Sequence, residues 1–221
     1  MSNPFIKKIL IVDDHPMMRK GLTSTLEMET DLEVAFQCEK AEEVLKVMEN
    51  FRPDLLLVDV SLPGMNGIEL VKNLIFQDPD LKILVVSRHE ETLYGERALR
   101  AGAKGYIMKF ETSETLIKAV RKVLSGGIYV SEGLNEKLLM NAMHGKKEGA
   151  VSSIDILSDR ELEVFELMGK GKSSSEIAEQ LHLASKTVET YRSRIKEKMD
   201  FKNSTEMIFH AVKWVENEYD L

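Results

Sequence analysis

Polar side chains follow short apolar runs in the first half of the chain, at the point where each run ends. The carboxylates Asp13, Asp14 and Asp59, the Ser87 hydroxyl and the Lys109 amine hold these positions. Apolar runs rich in Val, Ile and Leu are typical of strands buried on both faces, as in a parallel sheet. Because parallel strands place their carboxyl ends at one edge of the sheet, we expect these groups to converge there.

Three carboxylates that approach one another repel unless a cation joins them. A set of oxygen ligands without His or Cys favours Mg²⁺, which takes carboxylates together with phosphate and water. A carboxylate in such a site can attack a phosphoryl donor and form an acyl phosphate. The metal and Lys109 would then neutralise the charge on the phosphoryl oxygens.

The elements that position these residues alternate along the first 125 residues. The apolar runs predict strands at Lys8–Val12, Leu32–Phe36, Asp54–Val60, Leu81–Ser87 and Gly105–Met108. Segments with helical spacing lie between the runs, for example Ala41–Asn50 and Thr112–Leu124. Strands alternating with helices predict a doubly wound α/β domain with five parallel strands.

Residues 8 to 125 resemble the receiver domain of response regulators. The resemblance rests on Asp13-Asp14, on D-V-S-L-P-G-M-N-G around Asp59, on Ser87, and on G-Y-I-M-K ending at Lys109. It implies a flavodoxin-like fold in which a sensor histidine kinase phosphorylates Asp59. Lys109 would pair with the phosphoryl group, and the Ser87 hydroxyl would bond to it.

The same resemblance implies a Mg²⁺ site and a switch residue. The metal ligands would be Asp13, Asp14, Asp59 and the backbone carbonyl of Ser61. Tyr106 would be the aromatic residue that turns inward when Ser87 moves. The neighbouring His15 is expected to position the loop before Pro16, whose fixed φ suits a first helical turn.

The second half of the chain has no strand-like runs after Ser158. The alignment of leucines in residues 131–143 predicts one helix. The following segment, His144–Ser153, is rich in small and charged residues and is typical of a linker. Four further helices are predicted, each opening with a serine suited to N-capping: Ser158–Gly169, Ser174–Leu181, Ser185–Met199 and Ser204–Glu216. A short helix, a tight turn and a longer helix are typical of a helix-turn-helix.

The third of these helices has two distinct faces. At 100° per residue, Val188, Tyr191, Ile195 and Met199 fall on the core side. Glu189 and Thr190, on the opposite side, could reach base edges. Residues predicted to contact DNA bases or phosphates are Lys170, Lys172, Lys186, Glu189, Thr190, Arg192, Ser193, Arg194, Lys196 and Lys198.

Residues 157 to 213 resemble the LuxR-type DNA-binding domain. The motifs are L-S-D-R-E-L-E-V-F, S-E-I-A-E-Q-L and S-K-T-V-E-T-Y-R-S-R-I-K. Ser175, Glu189 and Ser204 stand where relatives often carry a basic residue, which weakens electrostatic attraction to DNA. Together the two resemblances indicate a NarL/FixJ-type response regulator, with a receiver at 1–126, a linker at 127–156 and the DNA-binding domain at 157–221.

Composition limits the other classes of function. The chain has 221 residues and a net charge of −7, which argues against coating nucleic acid by bulk charge. Its single cysteine excludes an internal disulfide framework. No apolar run approaches the roughly 20 residues of a membrane helix, so we expect a cytoplasmic protein with no membrane partner.

The resulting hypothesis is a transcription factor, not an enzyme, in which phosphorylation of Asp59 controls homodimerisation and binding to promoter DNA. One alternative is a phosphorylation-gated adaptor whose carboxy-terminal helices bind proteins and bind DNA weakly or not at all. A second is a phosphohydrolase, but such enzymes usually carry another aspartate two residues beyond the nucleophile, where this chain has Ser61.

Overall fold

The structure is a computed structural model that describes residues 6–144 and 153–219. Side chains are described for residues 6–143 and 154–216. Backbone contacts divide the chain between Met143 and His144 into two compact units, which we describe separately. The predicted linker His144–Ser153 lies almost wholly outside the described residues.

The first unit is built on one parallel sheet. Its strands are β1 (Lys7–Val12), β2 (Leu32–Cys38), β3 (Leu55–Val58), β4 (Ile83–Ser87) and β5 (Gly105–Met108). The order across the sheet is β2-β1-β3-β4-β5, and every neighbouring pair is parallel. The five predicted parallel strands of a doubly wound α/β domain are therefore confirmed.

Helices alternate with these strands. They are α1 (Pro16–Glu27), α2 (Ala41–Met48), α3 (Gly67–Gln77), α4 (Glu91–Arg100) and α5 (Ser113–Leu124). Leu57 and Val86 in the sheet share a buried cluster with Leu26 of α1 and Val120 of α5. Residues that alternate with them along the strands, such as Leu56, are equally buried. Both faces of the sheet are covered, which is why the strands read as continuous apolar runs.

A further helix, α6 (Glu132–His144), follows α5, and all of it except its last residue belongs to the first unit. The chain reaches it through Tyr129, which forms a parallel bridge with Gly105 at the edge of β5. Leu134 of α6 is buried, and a Cβ added to Gly95 of α4 would lie 2.5 Å from its Cδ2 atom. The Leu134 side chain of α6 therefore packs directly over the glycine of α4. The boundaries predicted at residues 126 and 156 stay predictions.

The second unit is helical throughout its described residues. A short 3₁₀ helix at Ser153–Ile156 precedes α7 (Asp159–Gly169), α8 (Ser174–Gln180), α9 (Ser185–Lys198) and α10 (Ser204–Tyr219). Phe165 of α7 is fully buried, and its ring centroid lies 5.7 Å from that of Trp214 in α10. The four predicted α-helices are confirmed.

Three of the four predicted serine caps are wrong and only Ser158 is confirmed. Helix α8 is capped by Ser173, one residue before the predicted Ser174. Ser158 and Ser173 cap α7 and α8, each in a capping box with the glutamate three residues later. The N-cap of α9 is Ala184, which forms no side-chain cap, so Ser185 is already the first helical residue. Ahead of α10, the Asn203 side chain accepts a hydrogen bond from the Glu206 amide at 2.9 Å, so the cap precedes Ser204.

In the part of the chain that the structure describes, every helix is too short or too polar to cross a bilayer.

Candidate functional site

The carboxyl ends of the strands bring three of the predicted residues into direct contact. The Lys109 Nζ atom lies 2.7 Å from Asp13 Oδ2 and 2.8 Å from Asp59 Oδ2. The side chains of Asp13 and Asp59 are almost fully buried, and 8% of the Lys109 side chain is exposed. An ammonium group between two buried carboxylates offsets their repulsion.

Backbone hydrogen bonds between neighbouring strands hold this arrangement. The Asp59 amide donates to the Val12 carbonyl at 2.9 Å, because β3 lies beside β1. The Lys109 amide donates to the Ser87 carbonyl at 2.7 Å, because β5 lies beside β4. The order of strands in the sheet therefore determines which side chains meet.

The start of α3 also approaches the site closely. The Asn66 side chain caps this helix by accepting a hydrogen bond from the Ile68 amide at 2.8 Å. A Cβ added to Gly67 would lie 1.9 Å from the backbone oxygen of Asp59. Only glycine fits at this position without moving Asp59 or the helix.

The surroundings of Asp59 leave its carboxylate able to bind a cation or to attack an electrophile. Burial, together with the negative charge of Asp13, raises the pKa of Asp59, although the Lys109 ammonium opposes that rise. The Asp59 Oδ1 atom is buried and accepts no hydrogen bond from any described residue. Such an oxygen gains stability when a cation or an electrophile approaches it.

The carboxylates fit a divalent cation. One donor atom from each of Asp13, Asp14, His15 and Asp59 lies within 4.8 Å of the others. The three carboxylates, including the buried Asp59 Oδ1, are a donor set of the kind that Mg²⁺ prefers. The sequence did not predict that an imidazole would join this cluster.

The β1–α1 loop is supported by a buried arginine that sequence reasoning also missed. Arg19 of α1 donates to the Asp13 carbonyl oxygen at 2.5 Å and forms an ion pair with Glu39. Only 10% of the Arg19 side chain is exposed. The sequence carried no signal for this role, because the contact depends on how the loop between β1 and α1 turns.

The predicted switch residues meet at a second histidine. The His89 amide donates to the Ser87 hydroxyl oxygen at 3.2 Å, and the Tyr106 hydroxyl donates to the His89 carbonyl at 2.7 Å. The Ser61 Oγ atom lies 2.7 Å from His89 Nε2. Tyr106 is fully buried in this structure, and its hydroxyl is tied to the loop that follows Ser87.

In the second unit, α9 presents the face expected from its periodicity. Val188 and Ile195 are fully buried, and Tyr191 is half-buried. Of the α9 residues predicted to contact DNA, Arg192 is half-buried. The others are exposed: Lys186, Glu189, Thr190, Ser193, Arg194, Lys196 and Lys198. The Arg192 guanidinium donates to the Ser174 hydroxyl of α8 at 2.8 Å, which fixes α9 against α8.

The predicted phosphate-binding residues divide into two groups. Lys170, Lys172, Arg192 and Lys198 form ion pairs with Glu166, Glu176, Glu189 and Glu161, respectively. For Lys186, Arg194 and Lys196, no ion pair occurs among the described residues. The latter three offer the greatest gain on meeting a polyanion, because they give up no existing carboxylate partner.

Family models match both units. Residues 9–121 match the response regulator receiver domain, and residues 155–211 match the luxR family of bacterial regulatory proteins.

Curated relatives match over nearly the whole chain. The Oxygen regulatory protein NreC of Staphylococcus haemolyticus is 38% identical over 211 residues, covering 93% of this chain and 97% of the relative. The Transcriptional regulatory protein DegU of Brevibacillus brevis is 33% identical over 223 residues, covering 94% of both proteins.

Solved structures share the fold. RcsB from Salmonella enterica serovar Typhimurium, bound to promoter rprA with the phosphomimetic BeF₃⁻, matches with a TM-score of 0.62 and 23% identity. That match covers 94% of this chain and 98% of RcsB. A structure of two RcsB dimers bound to two parallel DNAs matches with a TM-score of 0.57 and 23% identity, covering 92% and 96%.

Proposed function

This chain belongs to the response regulators that join a receiver domain to a LuxR-type DNA-binding domain, and we propose that phosphorylation of Asp59 controls its binding to promoter DNA. The observation that carries the proposal is the Asp59 carboxylate, buried against Asp13 and Lys109 with Oδ1 lacking a hydrogen-bond partner among the described residues. A sensor histidine kinase would be the phosphoryl donor.

Phosphoryl transfer would proceed by attack of an Asp59 carboxylate oxygen on phosphorus. A P–O bond forms as the P–N bond to the phosphohistidine of the kinase breaks, and the nitrogen keeps the electron pair. Lys109 Nζ, already 2.8 Å from Asp59 Oδ2, would pair with the phosphoryl oxygens. The Ser87 hydroxyl, which accepts a hydrogen bond from the His89 amide, would donate its own hydrogen to a phosphoryl oxygen.

We assign the Mg²⁺ ligands to Asp13, Asp14, Asp59 and the backbone carbonyl of Ser61. Bound Mg²⁺ would supply positive charge that stabilises the transferring phosphoryl group. Asp13 would contribute while held by Arg19, whose guanidinium fixes the backbone of this loop.

In response to phosphorylation, the protein would bind promoter DNA as a homodimer, with α9 as the helix that contacts the DNA. Base contacts are assigned to Glu189, Thr190 and Ser193 near the start and middle of the helix. Phosphate contacts are assigned to Lys170, Lys172, Lys186, Arg192, Arg194, Lys196 and Lys198. RcsB, which shares the fold, binds DNA as dimers in one of its structures, and this supports the same arrangement here.

The direct test is labelling with radioactive acetyl phosphate in the presence and absence of Mg²⁺. We expect the protein to be labelled when Mg²⁺ is present and the Asp59→Asn variant to remain unlabelled, because its amide is a poor nucleophile. Asp54→Asn is the matched control, since Asp54 pairs with Lys7 before β3 begins. Labelling that survives in Asp59→Asn would contradict the assignment.

Binding of the phosphorylated protein to DNA needs a separate measurement. We expect the phosphorylated protein to bind promoter fragments as a dimer, with an affinity that falls steeply as salt rises. Phosphorylation without binding to any promoter fragment would favour the adaptor.

A further inference from the structure

The imidazole of His15 lies against the carboxylates of the proposed metal site. The His15 Nδ1 atom is 3.5 Å from Asp13 Oδ1 and is in contact with Asp14 Oδ1. These separations approach the roughly 3 Å between neighbouring ligands of a six-coordinate ion bound at about 2.1 Å. The nitrogen therefore occupies a position that a ligand atom of the same ion could hold.

The loop fixes this position for the ring. The His15 amide donates to Asp13 Oδ1 at 2.8 Å, and Pro16 starts α1 immediately afterwards. On the other side of the loop, Arg19 holds the Asp13 carbonyl. His15 is thus restrained at both of its backbone neighbours, while 45% of its side chain is exposed to an arriving ion.

The donor set differs chemically from one that contains only oxygen. Mg²⁺ takes hard oxygen ligands and gains little from imidazole, whereas transition metals bind imidazole well. The affinity of a mixed nitrogen and oxygen site rises from Mn²⁺ toward the later divalent metals.

We propose that His15 is a direct ligand for transition-metal ions, so that this site binds Mn²⁺ more tightly than Mg²⁺ through a bond from imidazole nitrogen. The inference rests on the proposed metal site and adds a ligand and a metal preference to it. An ion bound by Asp13, Asp14, Asp59, the backbone carbonyl of Ser61 and His15 would fill five of six positions and leave one for water or for a phosphoryl oxygen.

The test is pulsed electron paramagnetic resonance of Mn²⁺ bound to the full-length protein. We expect a nitrogen hyperfine coupling in the unmodified protein, and a change in that coupling when its histidines carry ¹⁵N. The coupling should be absent in His15→Ala and retained in His89→Ala, whose imidazole lies beside Ser61.

Affinities measured by Mn²⁺ titration, and by Mg²⁺ competition against it, provide the second measurement. We expect His15→Ala to bind Mn²⁺ at least tenfold more weakly and Mg²⁺ with less than a twofold change. An equal loss for both ions would mean that His15 only positions Asp14, and this would overturn the proposal. Absence of the nitrogen coupling from the unmodified protein would overturn it as well.

The failure of the proposed metal site itself has a different signature. If neither ion binds, or if Asp14→Asn leaves both affinities unchanged, the site is wrong and the His15 assignment fails with it. If Mn²⁺ binds, and Asp14→Asn lowers its affinity, but no nitrogen coupling is observed, the metal site stands and only the role of His15 is refuted.

Discussion

The charged side chains at the carboxyl ends of the strands compensate one another. Lys109 contacts both Asp13 and Asp59, and burial already raises the pKa of Asp59. The Lys109 ammonium opposes the rise in the pKa of Asp59 and offsets the repulsion between the two buried carboxylates. A metal ion could provide the same compensation, which makes Lys109 and the metal partly interchangeable in their effect on stability.

Replacing Lys109 with methionine tests this interdependence. We expect the unfolding free energy without divalent ions to fall by about 3 kcal/mol, because the buried carboxylates lose their cation. Added Mg²⁺ should restore much of the loss, so the increase in Tm caused by Mg²⁺ should be larger in Lys109→Met than in the unmodified protein. Thermal unfolding followed by circular dichroism measures both quantities.

Lys20→Met is the matched control, because Lys20 is exposed on α1. Its Tm and its response to Mg²⁺ should match those of the unmodified protein. An identical Mg²⁺ response in Lys109→Met would show that Lys109 does not share the charge of the metal site.

Sequence patterns predicted which strands end in reactive groups but missed the supporting side chains. The approach of Asp59 to Lys109 follows from strand order, which hydrophobic runs and family motifs both indicate. The roles of His15, Arg19 and His89 depend on how individual loops turn. No periodicity encodes such turns, so these contacts required the structure.

Secondary-structure elements were predicted more accurately in their positions than in their ends. The predicted strand Gly105–Met108 coincides with β5, because its apolar run is bounded on both sides. The start of α9 was displaced by one residue, since Ser185 satisfies the composition of a cap while the backbone becomes helical only after Ala184. An N-cap is defined by backbone conformation, which residue type alone does not determine.

The two serines at the starts of α7 and α9 allow a direct comparison. Ser158→Ala removes the hydroxyl that accepts from the Glu161 amide and should lower the unfolding free energy of the second unit by about 1 kcal/mol. Ser185→Ala should change it by less than about 0.5 kcal/mol, because Ser185 lies inside the helix without a capping role.

Urea unfolding followed by the fluorescence of Trp214 measures these changes. Trp214 is the single tryptophan of the chain and lies beside Phe165 in the second unit. An equal loss of stability in Ser158→Ala and Ser185→Ala would contradict the assigned helix start.

Charge distribution over the whole molecule shapes the expected interaction with DNA. The chain carries −7, yet Ser185–Lys202 holds six basic residues against three acidic ones. Several of the lysines predicted to bind phosphate are already paired with glutamates, so the effective positive surface is smaller than the sequence indicates. We therefore expect one copy of the protein to bind DNA weakly and two copies bound together to bind it tightly.

Salt dependence separates the paired from the unpaired cations. Arg194→Ala should reduce the slope of log K against log salt by about 1, because one phosphate contact is lost. Lys198→Ala should reduce the slope by less than half of that, since the Lys198 ammonium contacts Glu161 at 2.6 Å in the free protein. Fluorescence anisotropy of a labelled promoter fragment across a salt series measures both slopes, and equal slopes for the two variants would contradict this division.

The bridge between Tyr129 and Gly105 has a consequence for how the receiver sheet avoids unwanted pairing. β5 is the last strand, and an uncovered edge strand offers unpaired amides that can recruit another chain. Here the Tyr106 amide donates to the Tyr129 carbonyl at 3.0 Å, and the Tyr129 amide donates to the Lys104 carbonyl at 2.9 Å. Any partner that sought to extend the sheet beside Tyr106 would first have to displace Tyr129, so this edge is closed to strand addition while Tyr129 stays bound.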